Sequence, residues 1–176
     1  FPCYFGSALK SFGVDTLMEG ITKYSLEKEY DSDFSAIVYK ISRDKEGKRL
    51  THMKITGGSL KNRCELSEYG KVSQIRIYSG ERFETKDEVQ AGMVCAVTGL
   101  TGTVCGMQLG VAGEEMLPVL EPVLTYRIIL PKGTDVITML PKLKELEEEE
   151  PALHIAYNEE NGEIQAELMG EVQTEI

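Results

Sequence analysis

The sequence predicts a mainly β chain with an α+β part: a small β-barrel at the centre, a β-α-β-β unit after it, and a strand-loop-helix before it. Three observations carry this. Short β-branched and aromatic runs, punctuated by glycine turns, fill residues 34–110. A helical spacing of apolar residues appears beyond the two prolines of PVLEPV at 118–123. The opening 24 residues hold one apolar run, one glycine turn and one helix start, too little to bury their own surface. The expected divisions are residues 1–30, 31–121 and 122–176.

The barrel starts with a hairpin. Residues 34–41 (FSAIVYKI) and 50–56 (LTHMKIT) are its strands, and 42–49 is a polar loop with an Asp44-Lys45-Glu46-Gly47 turn. Alternation puts Ile37, Tyr39 and Ile41 on one face and Phe34, Ala36 and Val38 on the other. The loop and its flanks are basic. Lys40, Arg43, Lys45, Lys48, Arg49 and Lys54 are the best candidates for contact with phosphate, and Lys61 and Arg63 extend them. Such contacts release counterions and are salt-dependent. The plainer alternative is a solvated loop with ordinary surface lysines. Further strands are expected at 63–67, 71–78, 93–98 and 103–109, with a tight corner at 88–92.

Before the barrel, residues 1–5 read as a strand and 6–9 as a turn. The helix that follows has Asp15 as N-cap and Leu17, Met18 and Ile21 on its apolar face. Residues 25–33 read as a polar linker. After the barrel, 124–130 is a strand. Residues 133–150 are helical, with Val136, Leu140, Leu143 and Leu146 at near-helical spacing and Thr134 as N-cap. Pro141 removes a backbone donor there, so the helix kinks or its regular part begins near Thr138. Glu147 to Glu150 crowd the C-terminal end, where the helix dipole disfavours them, and Pro151 stops the helix. Residues 153–157 and 163–168 are two strands joined by a turn, and 170–176 starts a second helix. This is a split βαβ unit short of its last strand. Its unpaired edge favours association between copies.

Net charge is −10, distributed unevenly: −3 over residues 1–33, +2 over 34–120 and −9 over 121–176. The overall acidity argues against non-specific nucleic-acid binding by the chain but leaves a focused contact by the centre open. No run approaches the roughly 18 apolar residues of a membrane span. Cys3, Cys64, Cys95 and Cys105 form no C-x-x-C pair, and neither His52 nor His154 stands at ligand spacing to them. Free thiols in a reducing cytoplasm are expected, and no metal site. The acids show no cleft or perturbing partner that marks a catalytic pair.

Three stretches resemble one family. Gly6-Ser7-Ala8-Leu9-Lys10 with Gly13-Val14 resembles the last guanine-nucleotide motif of a translation-factor GTPase of the elongation factor G class. KISRDKEGKRLTHMKITGGSL and DEVQAGMVCAVTGL are similar to its second domain. LEPVLTYRIILPKGTD and the run LKELEEEEPALHIAYNEENGEIQAELMGEVQTEI resemble its third, ferredoxin-like domain. At 170–175 this chain has Gly-Glu-Val-Gln-Thr-Glu where elongation factor G proper usually has Gly-Glu-Leu-His-Leu-Glu. Gln173 looks more like the tetracycline-resistance ribosomal protection proteins. The resemblance implies an interior fragment of a ribosome-binding, cytoplasmic GTPase that uses GTP and magnesium. It implies that Ser7, Ala8 and Leu9 lie against the guanine base in the parent, and that the basic hairpin touches small-subunit ribosomal RNA. The phosphate-binding loop G-x-x-x-x-G-K-[ST], the Asp-x-x-Gly switch and Asn-Lys-x-Asp are absent from this sequence. The fragment itself is therefore expected neither to bind nor to hydrolyse GTP, and to serve contact and coupling. The alternative is a stand-alone β-barrel binding module for a peptide or small ligand.

Overall fold

The computed structural model describes residues 1–26, 28–66, 69–111 and 121–174. Part of the PVLEPV boundary, the end of the run at 63–67 and the last two residues of the 170–176 segment lie outside them.

Helix α1 spans Val14–Tyr24. The barrel strands are β1 (Ser35–Arg43), β2 (Arg49–Gly57), β3 (Ser59–Lys61), β4 (Gly70–Ser79), β5 (Arg82–Lys86), β6 (Glu88–Gln90), β7 (Val94–Leu100) and β8 (Gln108–Gly110). Beyond them come β9 (Leu124–Ile128), α2 (Val136–Glu149), β10 (Ala156–Asn158) and β11 (Glu163–Leu168). All described strand pairs are antiparallel. The large sheet runs β5-β4-β7-β2-β1-β8, and β3 pairs with β6 as a separate ribbon. Leu60 of that ribbon and Val89 opposite it join Val38, Met53, Ile55, Val72, Ile75 and Val97 in one core, so the ribbon packs onto the sheet and completes the barrel.

Strand β1 departs from simple alternation. Its register against β2 shifts between Val38 and Lys40, which makes Tyr39 the extra residue of a bulge. Ala36, Val38 and Ile41 are consequently the inward residues, all fully buried, while Tyr39 and Lys40 both face solvent. The expected grouping of Ile41 with Ile37 and Tyr39 is corrected by this one inserted residue.

The second core lies between β10-β11-β9 and α2. Ile164, Ala166 and Leu168 of β11 meet Leu140 and Leu143 of the helix. Helix α2 runs unbroken through Pro141, and its N-cap is Asp135, not Thr134. A 3-10 turn at Pro151–Leu153 precedes β10, so that strand starts later than expected. The segment after β11 forms a 3-10 turn, Glu171–Thr174, where an α-helix start is expected. At the other end, residues 1–5 lie outside any strand, and α1 is capped by Gly13 at φ 75°, with Asp15 already inside its first turn. No described helix is long and apolar enough to cross a membrane.

Candidate functional site

The loop of the β1–β2 hairpin is built on Asp44. Its Oδ1 accepts the backbone N–H groups of Glu46 (3.0 Å) and Lys48 (2.9 Å), while its Oδ2 accepts Arg76 Nη1 from β4 at 3.0 Å. The Lys48 N–H above all, then Arg76 and the Glu46 N–H, hold this carboxyl below the usual carboxylate range. Arg76 in turn lies over the Phe83 ring, 4.4 Å from its centroid, and donates Nε to Gln74 Oε1 at 2.7 Å. An aspartate that satisfies loop donors and a strand arginine together fixes the hairpin end against β4.

The two arginines of the hairpin meet an acidic helix. Arg43 Nη2 and Arg49 Nε both reach Glu148 Oε2 of α2, at 3.1 and 3.2 Å, and Arg43 Nε lies 3.7 Å from Glu145. Arg49 is also tied to the barrel. Its Nη1 donates to Thr51 Oγ1, Thr103 Oγ1 and the Leu100 carbonyl, and its Nη2 to the Thr103 carbonyl. Thr51 and Thr103 are buried and hydrogen-bond each other at 3.0 Å. Lys48 pairs with Glu46 at 2.6 Å. Lys40, Lys45 and Lys54 are exposed and carry no ion pair among the described residues. Lys61 pairs in register with Glu88 at the end of the β3–β6 ribbon, and Arg63 and Asp87 lie next to them. The basic candidates thus divide: two arginines turn to α2, and three lysines stay open to solvent.

Next to the Asp44 loop, an open groove of about 700 Å³ is lined by Ser42, Leu50, His52, Arg76, Tyr78 and Phe83. A row of rings crosses the outer sheet face here. Centroids are 6.1 Å apart from Tyr39 to His52, 6.0 Å from His52 to Tyr78 and 5.4 Å from Tyr78 to Phe83. Burial, with the nearby Lys40 charge, pushes the His52 pKa down, and its Nε2 lies 2.7 Å from Ser42 Oγ. A neutral imidazole is the form this setting favours.

The Gly-Ser-Ala-Leu-Lys turn folds as a 3-10 turn over Ala8–Lys10, closed by paired Ser7 and Phe12. The N–H groups of Ala8 and Leu9 find no acceptor among the described residues, and the Leu9 side chain is exposed. Backbone donors are therefore on offer at this turn.

Residues 33–111 match the family model described as elongation factor G domain 2. The barrel belongs to the elongation factor G domain 2 family. Beyond the barrel, the chain is similar to translation factors of that class over most or all of its length. It is 26% identical to tetracycline resistance protein TetP of Clostridium perfringens over all of this chain and 28% of that protein. It is 32% identical to elongation factor 2 of Halobacterium salinarum, over 82% of this chain and 22% of that protein. It is 26% identical to elongation factor G 2 of Syntrophus aciditrophicus, over 99% of this chain and 30% of that protein. A crystal structure from Thermus thermophilus superposes with a TM-score of 0.74 at 25% identity, covering 93% of this chain and 26% of that one. The chain thus spans less than a third of the length of these relatives.

Sequence reasoning gives neither Glu145 nor Glu148 a role at the hairpin. Glu148 belongs to the Glu147 to Glu150 run, which reads as a crowded helix end, and Glu145 lies just before it. Asp44 and Arg76 were equally silent, one a turn residue and the other a strand arginine.

Proposed function

We propose that this chain is the domain 2 barrel and the following α+β unit of a ribosome-associated translational GTPase, nearer the tetracycline-protection proteins than elongation factor G proper. The resemblance to TetP, at 26% identity over all of this chain and 28% of that protein, is the observation that carries the reading. The division at 1–30, 31–121 and 122–176 is part of it, as are a cytoplasmic location and an association between copies through the open edge of the last unit. In this reading the whole protein uses GTP with magnesium. Ser7, Ala8 and Leu9 lie beside the base, where the idle N–H groups of Ala8 and Leu9 suit an acceptor such as a guanine carbonyl.

The chain's own work is contact and coupling. Lys40, Lys45 and Lys54 present charge to ribosomal RNA, with Lys48 beside them, and the Arg43 and Arg49 contacts to α2 pass a shift of the barrel to the unit behind it. The test is in-vitro translation under tetracycline with the full-length protein and GTP. Restored synthesis is the expected result. No rescue with ribosome-stimulated GTP hydrolysis intact returns the protein to the elongation side.

The second reading, a stand-alone binding module, draws on the aromatic groove of about 700 Å³. It is favoured if the full-length protein neither sediments with ribosomes nor hydrolyses GTP, and a ligand protects Tyr78 and Phe83 from solvent.

A further inference from the structure

We infer that Arg43 and Arg49 form an anion site for an RNA phosphodiester, which α2 covers with its own Glu148 carboxylate. The inference rests on the proposed contact between the hairpin and RNA, and adds that the contact is gated.

Two guanidinium groups converge on one oxygen. Glu148 Oε2 accepts from Arg43 Nη2 at 3.1 Å and from Arg49 Nε at 3.2 Å, with Glu145 3.7 Å from Arg43 Nε. A single oxyanion bridging two arginines is the arrangement that a phosphate oxygen takes up as readily as a carboxylate oxygen. The arginine side chains are 21% and 16% exposed, whereas Glu145 and Glu148 are 60% and 47% exposed. Arg49 is thus set into the barrel with Arg43 beside it, and the more exposed acids reach in from α2. Four further donor contacts hold Arg49 to Thr51, Leu100 and Thr103, all on the barrel, so its guanidinium keeps its position when α2 withdraws. Two like charges left together without a counter-ion repel, and any anion that occupies them stabilises the withdrawn state.

Binding at the arginines and docking of α2 are therefore mutually exclusive. By linkage, RNA releases the helix to the same extent that the helix weakens RNA. Lys40, Lys45 and Lys54 stay accessible in both states and supply the ungated part of the contact.

The test compares fluorescence anisotropy of a labelled polyuridine on the full chain with that on a Glu145→Gln/Glu148→Gln variant. Glu149→Gln/Glu150→Gln is the charge-matched control, because those acids make no ion pair with the arginines. The expected result is a Kd about 5-fold lower for the first variant, and a log–log salt slope steeper by about 0.7 for each added phosphate. Adding Arg43→Gln returns both to the level of the unaltered chain, and Arg43 takes no part in the Thr51–Thr103 network that maintains the fold. Unchanged affinity overturns the inference, as does an equal gain in the control, which reduces the effect to bulk charge. If inorganic phosphate at constant ionic strength displaces the probe as well as unlabelled RNA does, the site serves free phosphate, and the RNA assignment is overturned. Sedimentation of the full-length protein with ribosomes reports separately on the proposed function: binding there with no difference between variants sinks the gate and leaves that reading standing.

Discussion

Asp44 caps the β1–β2 loop with one carboxylate oxygen and holds Arg76 with the other. The Arg76 side chain is 8% exposed, so removing its partner leaves a nearly buried charge uncompensated. Asp44→Ala is expected to lower the thermal unfolding midpoint by several degrees, with Asp44→Asn losing less because its amide oxygen still accepts the loop N–H groups. The carboxyl's folded pKa is depressed, so its contribution is complete above the ordinary value of about 4 and is lost as pH falls through the lower folded value. His52 acts earlier. Its folded pKa is also depressed, which means that the unfolded chain takes up the proton first, and stability declines as pH drops below about 6.5. Denaturant titrations at stepped pH separate the two, since His52→Gln removes only the upper decline. The thiols divide in the same residue-by-residue way. Burial pushes the Cys95 pKa up to about 12, while Cys3 and Cys105 are exposed. Iodoacetamide at neutral pH is expected to label Cys3 and Cys105 and to reach Cys95 only after unfolding, as peptide mass spectrometry will report.

Among the elements, β1 carries the most constraint. It pairs with β2 on one side and β8 on the other, and β8 closes on Gly110, whose φ is 86°. A Cβ at Gly110 would stand 2.0 Å from the Phe34 carbonyl oxygen. Gly110→Ala is therefore expected to cost about 1–3 kcal/mol, from the positive φ and the collision together. A truncation in the fully buried core, Met53→Ala, costs about 2–5 kcal/mol. Denaturant midpoints check both. The elements also show what the residues disclosed before any coordinates. The hairpin was legible, because β-branched runs flank a turn with its own chemistry, and β11 was legible to the residue. Strand β5 was not: Arg82–Lys86 is exposed along its whole length and has no apolar alternation to read. Strands β3 and β6 hide in three residues each, with one buried side chain apiece, so β6 read as a corner. The bulge at Tyr39 was invisible for a different reason. A register shift is a property of the pair, and only the partner strand reveals that Ile41 turns inward. Of the candidate site, the sequence shows which hairpin residues are basic but not how they divide, because Glu148 lies 99 residues beyond Arg49 in the chain.

At the scale of the whole molecule there are two separate hydrophobic cores, and the arginine–glutamate cluster forms a joint between the barrel and α2. Each pair is half open to water on the glutamate side, so each contributes no more than about 1 kcal/mol, and salt screens it. Salt acts on the same unit in the opposite sense as well. Residues 121–176 carry a net −9, and screening their mutual repulsion stabilises the second core. Raising ionic strength therefore weakens the joint while it strengthens the acidic unit, and a single melting curve sums the two. Glu148→Gln separates them, because it opens the bridge to both arginines and leaves nearly all of the repulsion in place. Calorimetry from low to about 1 M salt, where the screening length falls to about 3 Å, is expected to raise the lower transition more in Glu148→Gln than in the unaltered chain. The gap between the two salt slopes is the contribution of the joint. Equal slopes would mean that the glutamates lie on the arginines without coupling the second core to the barrel.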